Sequence, residues 1–311
     1  MVKKDRVSRA SCADVGAAVA AHVHLVPLAS TKVIHLIRHA QGFHNVAGEL
    51  DRANYKSPEY EDAHLTAMGW AQTEALQQHV AARKEQLGVE LIVVSPMTRT
   101  LETAAGVFGC APGSAAATTG SRGAFMRSTQ AAENKCMERG EIAAPDDCPP
   151  VVACELCREQ LGGNPCDKRR PISHQREAFP VVDFSEVECD KDEPWEAYGP
   201  GRRESVAQIQ ARALAFLQWL EKRPERAIAV VAHSAFLTLG LLPLFVGHPG
   251  YAPEMSDAMG RYFQNCEMRS YVMTAANAPP ADGAAPDPLA FPGGKRALEG
   301  AGGSGFAAGA Q

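Results

Sequence analysis

The chain predicts an α/β fold, a three-layer α/β/α sandwich with a mostly parallel central sheet and an irregular cap insertion. Three observations predict it. Short β-branched and apolar runs alternate with helical stretches, and that alternation builds a mostly parallel sheet through right-handed crossovers. Hydrophobic residues make up 45% of the 311 and charged residues 22%, so a substantial core can form. Polar, chemistry-bearing residues follow the apolar runs, and in open α/β sheets ligands bind beyond the carboxyl ends of the strands.

Taken in order, Thr31–Ile37 is the first strand, followed by a polar loop with Pro58. Thr66 through Leu87 predicts a helix, capped by Thr66 and stopped by Gly88, with apolar residues at Met68, Ala71, Ala75, Leu76 and Val80. Leu91–Val94 is a short buried strand, Ser95-Pro96 turns the chain, and Thr98–Phe108 is a second helix. Residues 109–149 break the pattern. Gly, Ala, Ser and Thr crowd 113–123 and prolines close the stretch, which predicts a low-complexity insertion or long loop, partly disordered. Val151–Leu156 resumes as a strand. Residues 160–203 are polar and Pro-rich with scattered aromatics, an irregular cap beside the active edge. Ser205–Lys222 is an amphipathic helix, Arg226–Ala232 a core strand, Ser234–Phe245 a helix begun by a serine, and Ser270–Thr274 an edge strand.

The ends differ from this domain of residues 31–274. Residues 1–30 are Ala/Val-rich with scattered basic residues and predict a disordered extension, with an organelle transit peptide as the alternative. Residues 275–311 turn to Ala, Gly and Pro, which cannot bury enough surface to fold, and predict a disordered tail. A net charge of −5 and a pI near 6.1 argue against a nucleic-acid surface. No apolar run approaches the length that spans a bilayer. Nine cysteines in a chain of this length predict mostly free thiols in a reducing, cytoplasmic setting, organelle targeting by residues 1–30 being the alternative. Cys154-x-x-Cys157, with Cys148 and Cys166 nearby, is not read as a zinc site. A second such pair is absent, and residues three apart on a strand face opposite sides.

Four strand ends carry the chemistry. Arg38 and His39 follow the first strand, Arg99 the second, Glu159 the third and His233 the fourth. Arg38 would offer a forked, permanently charged partner to a phosphate, and His39 an imidazole nucleophile. Arg38, Arg99, Asn45 and a protonated His233 could surround the oxygens of a phosphate monoester. Each charge-assisted contact is worth about 1.5–3 kcal/mol. His39 must be neutral to attack, with its other ring nitrogen on an acceptor.

The segment Ile37-Arg38-His39-Ala40-Gln41-Gly42-Phe43-His44-Asn45 resembles the Arg-His-Gly signature of the histidine phosphatase superfamily, the phosphoglycerate mutase-like enzymes. Ala40 replaces the usual glycine, and Asn45 matches the motif's downstream asparagine. Leu65-Thr66-Ala67-Met68-Gly69-Trp70-Ala71-Gln72 resembles the family's Leu-Thr-x-x-Gly-x-x-Gln helix opening, and Pro165–Arg170 looks like that of the plant and fungal members. The resemblance implies a phosphohistidine at His39 and a small phosphorylated substrate, with no cofactor or metal because arginines neutralise the charge. It implies Glu159 as the acid, following Arg158 and preceding Gly163, with Glu155 the competing carboxylate. The mutases' usual Arg-His-Gly-Glu-Ser loop is here Arg-His-Ala-Gln-Gly, which favours hydrolysis over phosphoglycerate mutase-type transfer. A non-catalytic phospholigand-binding module is the third reading, and it would need no nucleophile and acid together. Lys168, Arg169, Arg170 and Arg176 read as a solvated charge run. Facing the site, they would favour a polyanionic substrate.

Overall fold

The computed structural model describes residues 28–111, 120–131, 135–199, 201–244 and 261–274. The chain divides into a unit of Lys32–Met273 and a second unit formed by the two ends. The described residues lie almost entirely in the first, and the predicted extension and tail lie outside them.

Six strands form the central sheet: β1 (Thr31–Arg38), β2 (Leu91–Val94), β5 (Val151–Ala153), β6 (Val182–Asp183), β7 (Ala227–Ala232) and β8 (Met268–Thr274), in the order β6-β5-β2-β7-β1-β8. The pairings β1–β7, β7–β2, β2–β5 and β5–β6 are all parallel. Because side chains alternate across a strand, each run feeds two cores. Ile37, Ile92, Val94, Ala229 and Val231 face one, and Ile34, Leu36, Leu91, Val93, Ile228 and Val230 the other. Helices cover both faces. The first is packed by α2 (Ala67–Ala82) and α3 (Thr98–Phe108), and the second by α5 (Val206–Lys222) through Ile209, Ala213, Phe216 and Leu220. Two further helices, α1 (Phe43–Leu50) and α4 (Ile172–Ala178), follow β1 and precede β6 respectively. This is the predicted three-layer arrangement.

Local chemistry sets the helix ends. Thr66 caps α2, its hydroxyl accepting from Gly69 N–H, and Ser205 caps α5 in a reciprocal capping box with Gln208. Gly88, at φ 54°, closes the short turn Lys84–Leu87. The single predicted helix 66–87 breaks at Arg83. The buried face of α2 also differs from the prediction. Met68, Ala71 and Ala75 are exposed, whereas Gly69, Trp70 and Thr73 are buried. Close approach decides this. A Cβ on Gly69 would stand 2.2 Å from the Gln41 carbonyl oxygen, and one on Gly106 2.4 Å from Thr73 Oγ1, so the small residues mark where the helix is pressed down.

Three other expectations need correction. The stretch 109–149, expected as an insertion or long loop, contains strands among its described residues. Within it β3 (Ser121–Met126) and β4 (Ile142–Pro145) pair antiparallel, and Phe125, Met126, Ile142 and Ala144 enter the core. Short apolar pieces were masked by Gly/Ala-rich flanks, much of which lies outside the described residues. The third core strand ends at Ala153, and Glu155–Cys157 is a 3₁₀ turn. In a 3₁₀ turn residues three apart eclipse. Cys154 and Cys157 therefore share one core, and the Cys157 thiol donates to the Cys154 carbonyl at 3.1 Å. The helix after β7 contains a π-helical stretch, Phe236–Leu241, ending in a 3₁₀ turn at Leu244. All eight described cysteines are free thiols, and no described group of three or more His, Cys, Asp or Glu could hold a metal. No described helix is long and apolar enough to cross a membrane.

The proposed cap is more ordered than its composition suggests, and its charge run is solvated only in part: Arg176 is exposed and Lys168 and Arg170 half-buried, whereas Arg169 is buried. Arg158 and Arg169 are fully buried. Arg158 forks onto Asp192 at 2.7 and 3.0 Å and also reaches Glu155 at 3.0 Å. Arg169 pairs with Glu155 and donates to the carbonyls of Cys189, Asp190 and Lys191. Arg170 donates to His64 Nε2 at 2.9 Å. Backbone carbonyls of an irregular segment need donors when buried, and arginine supplies five. Removing one partner of a buried pair leaves an uncompensated charge, at a cost of about 3–5 kcal/mol. Asp192→Ala should therefore destabilise the domain by that order in denaturant melts. A loss of a few tenths of a kcal/mol would mean that Arg158 does not depend on it.

Candidate active site

The carboxyl edge of the sheet gathers the predicted residues. Arg38 is the last residue of β1 and His39 follows it, its N–H held by Ala232 O at 2.9 Å. His233 follows β7, the next strand over, and Arg99 lies in the first turn of α3 after β2. The Thr98 N–H that opens α3 is accepted by Asp62 Oδ1 at 2.8 Å. Glu159 comes shortly after the 3₁₀ turn that ends β5. Arg212 of α5 fixes the backbone there, donating to the carbonyls of Leu156, Arg158 and Glu159.

A cavity of about 340 Å³ opens at this edge, lined by Arg38, His39, Asn45, Arg99 and Glu159 among others. Larger hollows elsewhere, of about 730 and 1070 Å³, contain none of these groups. His39 is 2% exposed. Its Nδ1 lies 2.7 Å from the Ala40 carbonyl oxygen, which can only accept, so the ring proton sits on Nδ1 and Nε2 keeps its lone pair. Burial, with Arg99, Arg38 and His44 nearby, drives its pKa well below the usual histidine value, so the ring is neutral.

The two arginines are anchored from behind. Arg38 Nη1 donates to Phe263 O at 2.7 Å. Arg99, fully buried, donates to Cys166 O at 2.6 Å and to Asp167 Oδ1 at 3.1 Å. The Nε of each is buried and has no partner. A half-buried and a fully buried cation, each with an unspent Nε beside a neutral imidazole, make a cradle whose chemistry suits an anion. Asp167 tempers it, accepting from Arg203 at 3.0 Å through its other oxygen. Burial, opposed by Arg99 and reinforced by Glu159, raises the Asp167 pKa to about 6.

The remaining predicted residues divide. Glu159 lines the cavity, and its two oxygens accept from the Gln160 and Ala235 N–H groups at 2.8 and 3.2 Å. Glu155 does not line it and is spent on Arg158 and Arg169. Asn45 lines the cavity, but its amide organises the loop. Its Oδ1 accepts from Gly42 N–H at 2.9 Å and its Nδ2 donates to His44 Nε2 at 3.1 Å. His233 is fully buried, with its ring centroid 5.3 Å from that of His39, and it does not itself line the cavity. Burial, with Arg99 and His39, holds its pKa well below the usual value. The ring is thus neutral, not the protonated one expected. Lys168, Arg169, Arg170 and Arg176 do not reach the cavity. The sequence alone did not single out His44, Arg52, Tyr55, Asp167 and Arg203, which line it from the start of α1, from short 3₁₀ turns and from irregular chain; His44 lay within the quoted Ile37–Asn45 segment. Asp167 did lie inside the noted Pro165–Arg170 stretch.

A family model described as the histidine phosphatase superfamily (branch 1) matches residues 34–111. A phosphoglycerate mutase-like protein of Arabidopsis thaliana is 41% identical over 251 residues, covering 81% of this chain and 88% of its own length. Phosphoglycerate mutase-like proteins 1 and 2 of the same plant are 41% and 38% identical, over 81% and 80% of this chain and 85% and 76% of their own. The chain belongs to the histidine phosphatase superfamily.

The superfamily motifs acquire physical meaning in the geometry. In Leu65–Gln72, Thr66 donates to Gln41 Oε1 at 2.8 Å, Thr66 N–H donates to Gln41 O at 2.9 Å, and Gln72 Oε1 accepts from Gln41 N–H at 2.9 Å. The motif thus clamps both sides of Gln41, two residues beyond His39, and Gly69 gives that loop room. Ala40 stands fully buried where the family has glycine, its N–H held by Thr103 Oγ1 at 3.0 Å.

The two candidate acids make different predictions. Glu159→Gln should slow esters of poor leaving groups far more than activated aryl phosphates, because an aryl oxide needs little protonation. Glu155→Gln should lower stability without that selectivity. The reverse pattern would move the acid role to Glu155.

Proposed function

We propose that this member is a metal-independent phosphatase that hydrolyses a small phosphorylated metabolite through a phosphohistidine at His39. The observation that carries the reading is the tautomer of His39, neutral with its proton on Nδ1, set beside the buried Arg99 and the half-buried Arg38. Nε2 attacks phosphorus, and the P–O bond to the leaving group breaks. Glu159, protonated, gives that oxygen its proton. Water then attacks the phosphohistidine, Glu159 takes a proton from it, and phosphate departs with His39 regenerated. Arg38 and Arg99 meet the charge that spreads over the phosphoryl oxygens in the transition state. The cavity, near the lower end of the range for ligand pockets, suits a small substrate.

Mutase-type transfer is the second reading, favoured by the names of the relatives, phosphoglycerate mutase-like proteins. Gln41-Gly42 in place of the mutases' Glu-Ser weighs against it. A generic aryl phosphate separates the readings. The proposal expects steady release of inorganic phosphate without a bisphosphorylated primer, abolished in a folded His39→Ala variant. Dependence on the primer would favour the mutase. Near wild-type turnover by His39→Ala would exclude this mechanism, and binding without turnover would favour a non-catalytic phospholigand module.

A further inference from the structure

The sheet order sets three strand-end residues side by side. Ser95 follows β2, His233 follows β7 and His39 follows β1, with β7 between the other two strands. The register pairs Val94 with Val231 and Arg38 with Ala232, which sets His39 level with His233 and Ser95 one residue behind it, level with Ala232. The ladder continues past the strands, with Ser95 N–H donating to Val231 O at 3.0 Å and His39 N–H to Ala232 O at 2.9 Å. Ser95 is fully buried, and its Oγ lies 2.8 Å from His233 Nε2. The other ring nitrogen, Nδ1, is buried and has no partner.

We propose that Ser95 is a positioning residue. Its hydroxyl donates to His233 Nε2 and thereby places the ring proton on Nδ1, where it can meet a phosphoryl oxygen. The proposal rests on the reading of the site given under Proposed function.

The alternative tautomer fails on chemistry. If Nε2 donated to Ser95, Nδ1 would be a buried lone pair beside a site meant for an anion, and would repel it. With the hydroxyl as donor, Nδ1–H is a neutral donor left free for negative charge. His233 does not itself line the cavity, and its ring centre lies 5.3 Å from that of His39, so the nearest group it could meet is the phosphoryl carried on His39. A neutral donor of fixed tautomer also avoids a third positive charge beside Arg38 and Arg99. Burial, with Arg99 and His39 close by, disfavours that charge.

Long-range ¹H–¹⁵N correlation spectra of the histidine rings test this directly. The expected wild-type spectrum shows His233 protonated on Nδ1. Ser95→Ala should move the ring towards the Nε2-protonated form, and Ser95→Thr should restore the wild-type signature. Losing one transition-state donor lowers kcat about 10²–10³-fold. Mis-setting it in Ser95→Ala should lower kcat on the order of ten- to a hundred-fold with little change in KM. An Nε2-protonated wild-type ring, or a tautomer unaltered by Ser95→Ala, would overturn the proposal. So would an altered tautomer with unchanged kcat. Should Ser95→Ala not fold, the wild-type spectrum and Ser95→Thr still decide. A protein that releases no phosphate from any ester would defeat the proposed function, but the tautomer is read independently of turnover.

Discussion

Positive charge held out of water at one edge of a parallel sheet is the constraint on which the rest of this structure turns. Arg38 and Arg99 are anchored by the Phe263 and Cys166 carbonyls and by Asp167, and each keeps a buried Nε without a partner. Arg99 is fully buried and Arg38 half-buried; burying a guanidinium without full compensation costs several kcal/mol, so a fold does not place such charge there without a return elsewhere. The same burial keeps His39 neutral and its Nε2 lone pair available. An arriving phosphate would complete what the protein leaves open. In this account binding and activation have one cause.

The surrounding architecture serves that edge. The clamp on Gln41 by Thr66 and Gln72 fixes the loop beyond the nucleophile. Asp62 accepts from the N–H of Thr98, the first residue of the helix that carries Arg99. Arg158 and Arg169 lie away from the chemistry, yet they hold the segment that presents Glu159 and Asp167 by tying it to Asp192 and Glu155. The site is built largely from irregular chain, and irregular chain buried beside a sheet needs donors for its carbonyls. The arginines provide them.

What the sequence disclosed follows from what has a period or a motif. The four core strands, the cap at Thr66, and Arg38, His39, Arg99 and Glu159 at one edge were legible. Alternation, capping chemistry and family signatures each act over a few residues. The β3–β4 pair was not legible, because its apolar pieces are short and β3 emerges from a low-complexity run. The burial of Arg169 was hidden by its neighbours Lys168 and Arg170, since a run of basic residues looks the same whether it meets water or backbone carbonyls. Sequence order gives no separation in space, so the pairing of Asp167 with both Arg99 and Arg203 could not be seen. The neutral state of His233 likewise follows from burial beside Arg99 and not from its position after a strand.

The central claim is that His39 attacks through Nε2 because Nδ1–H is committed to the Ala40 carbonyl. Rapid quench of the enzyme with a phosphate ester, followed by alkaline workup and ³¹P NMR of the isolated peptide, reads the phosphorylated atom. The account predicts phosphohistidine at His39 substituted on Nε2. Phosphate on Nδ1, on another residue, or on no residue during turnover would contradict it.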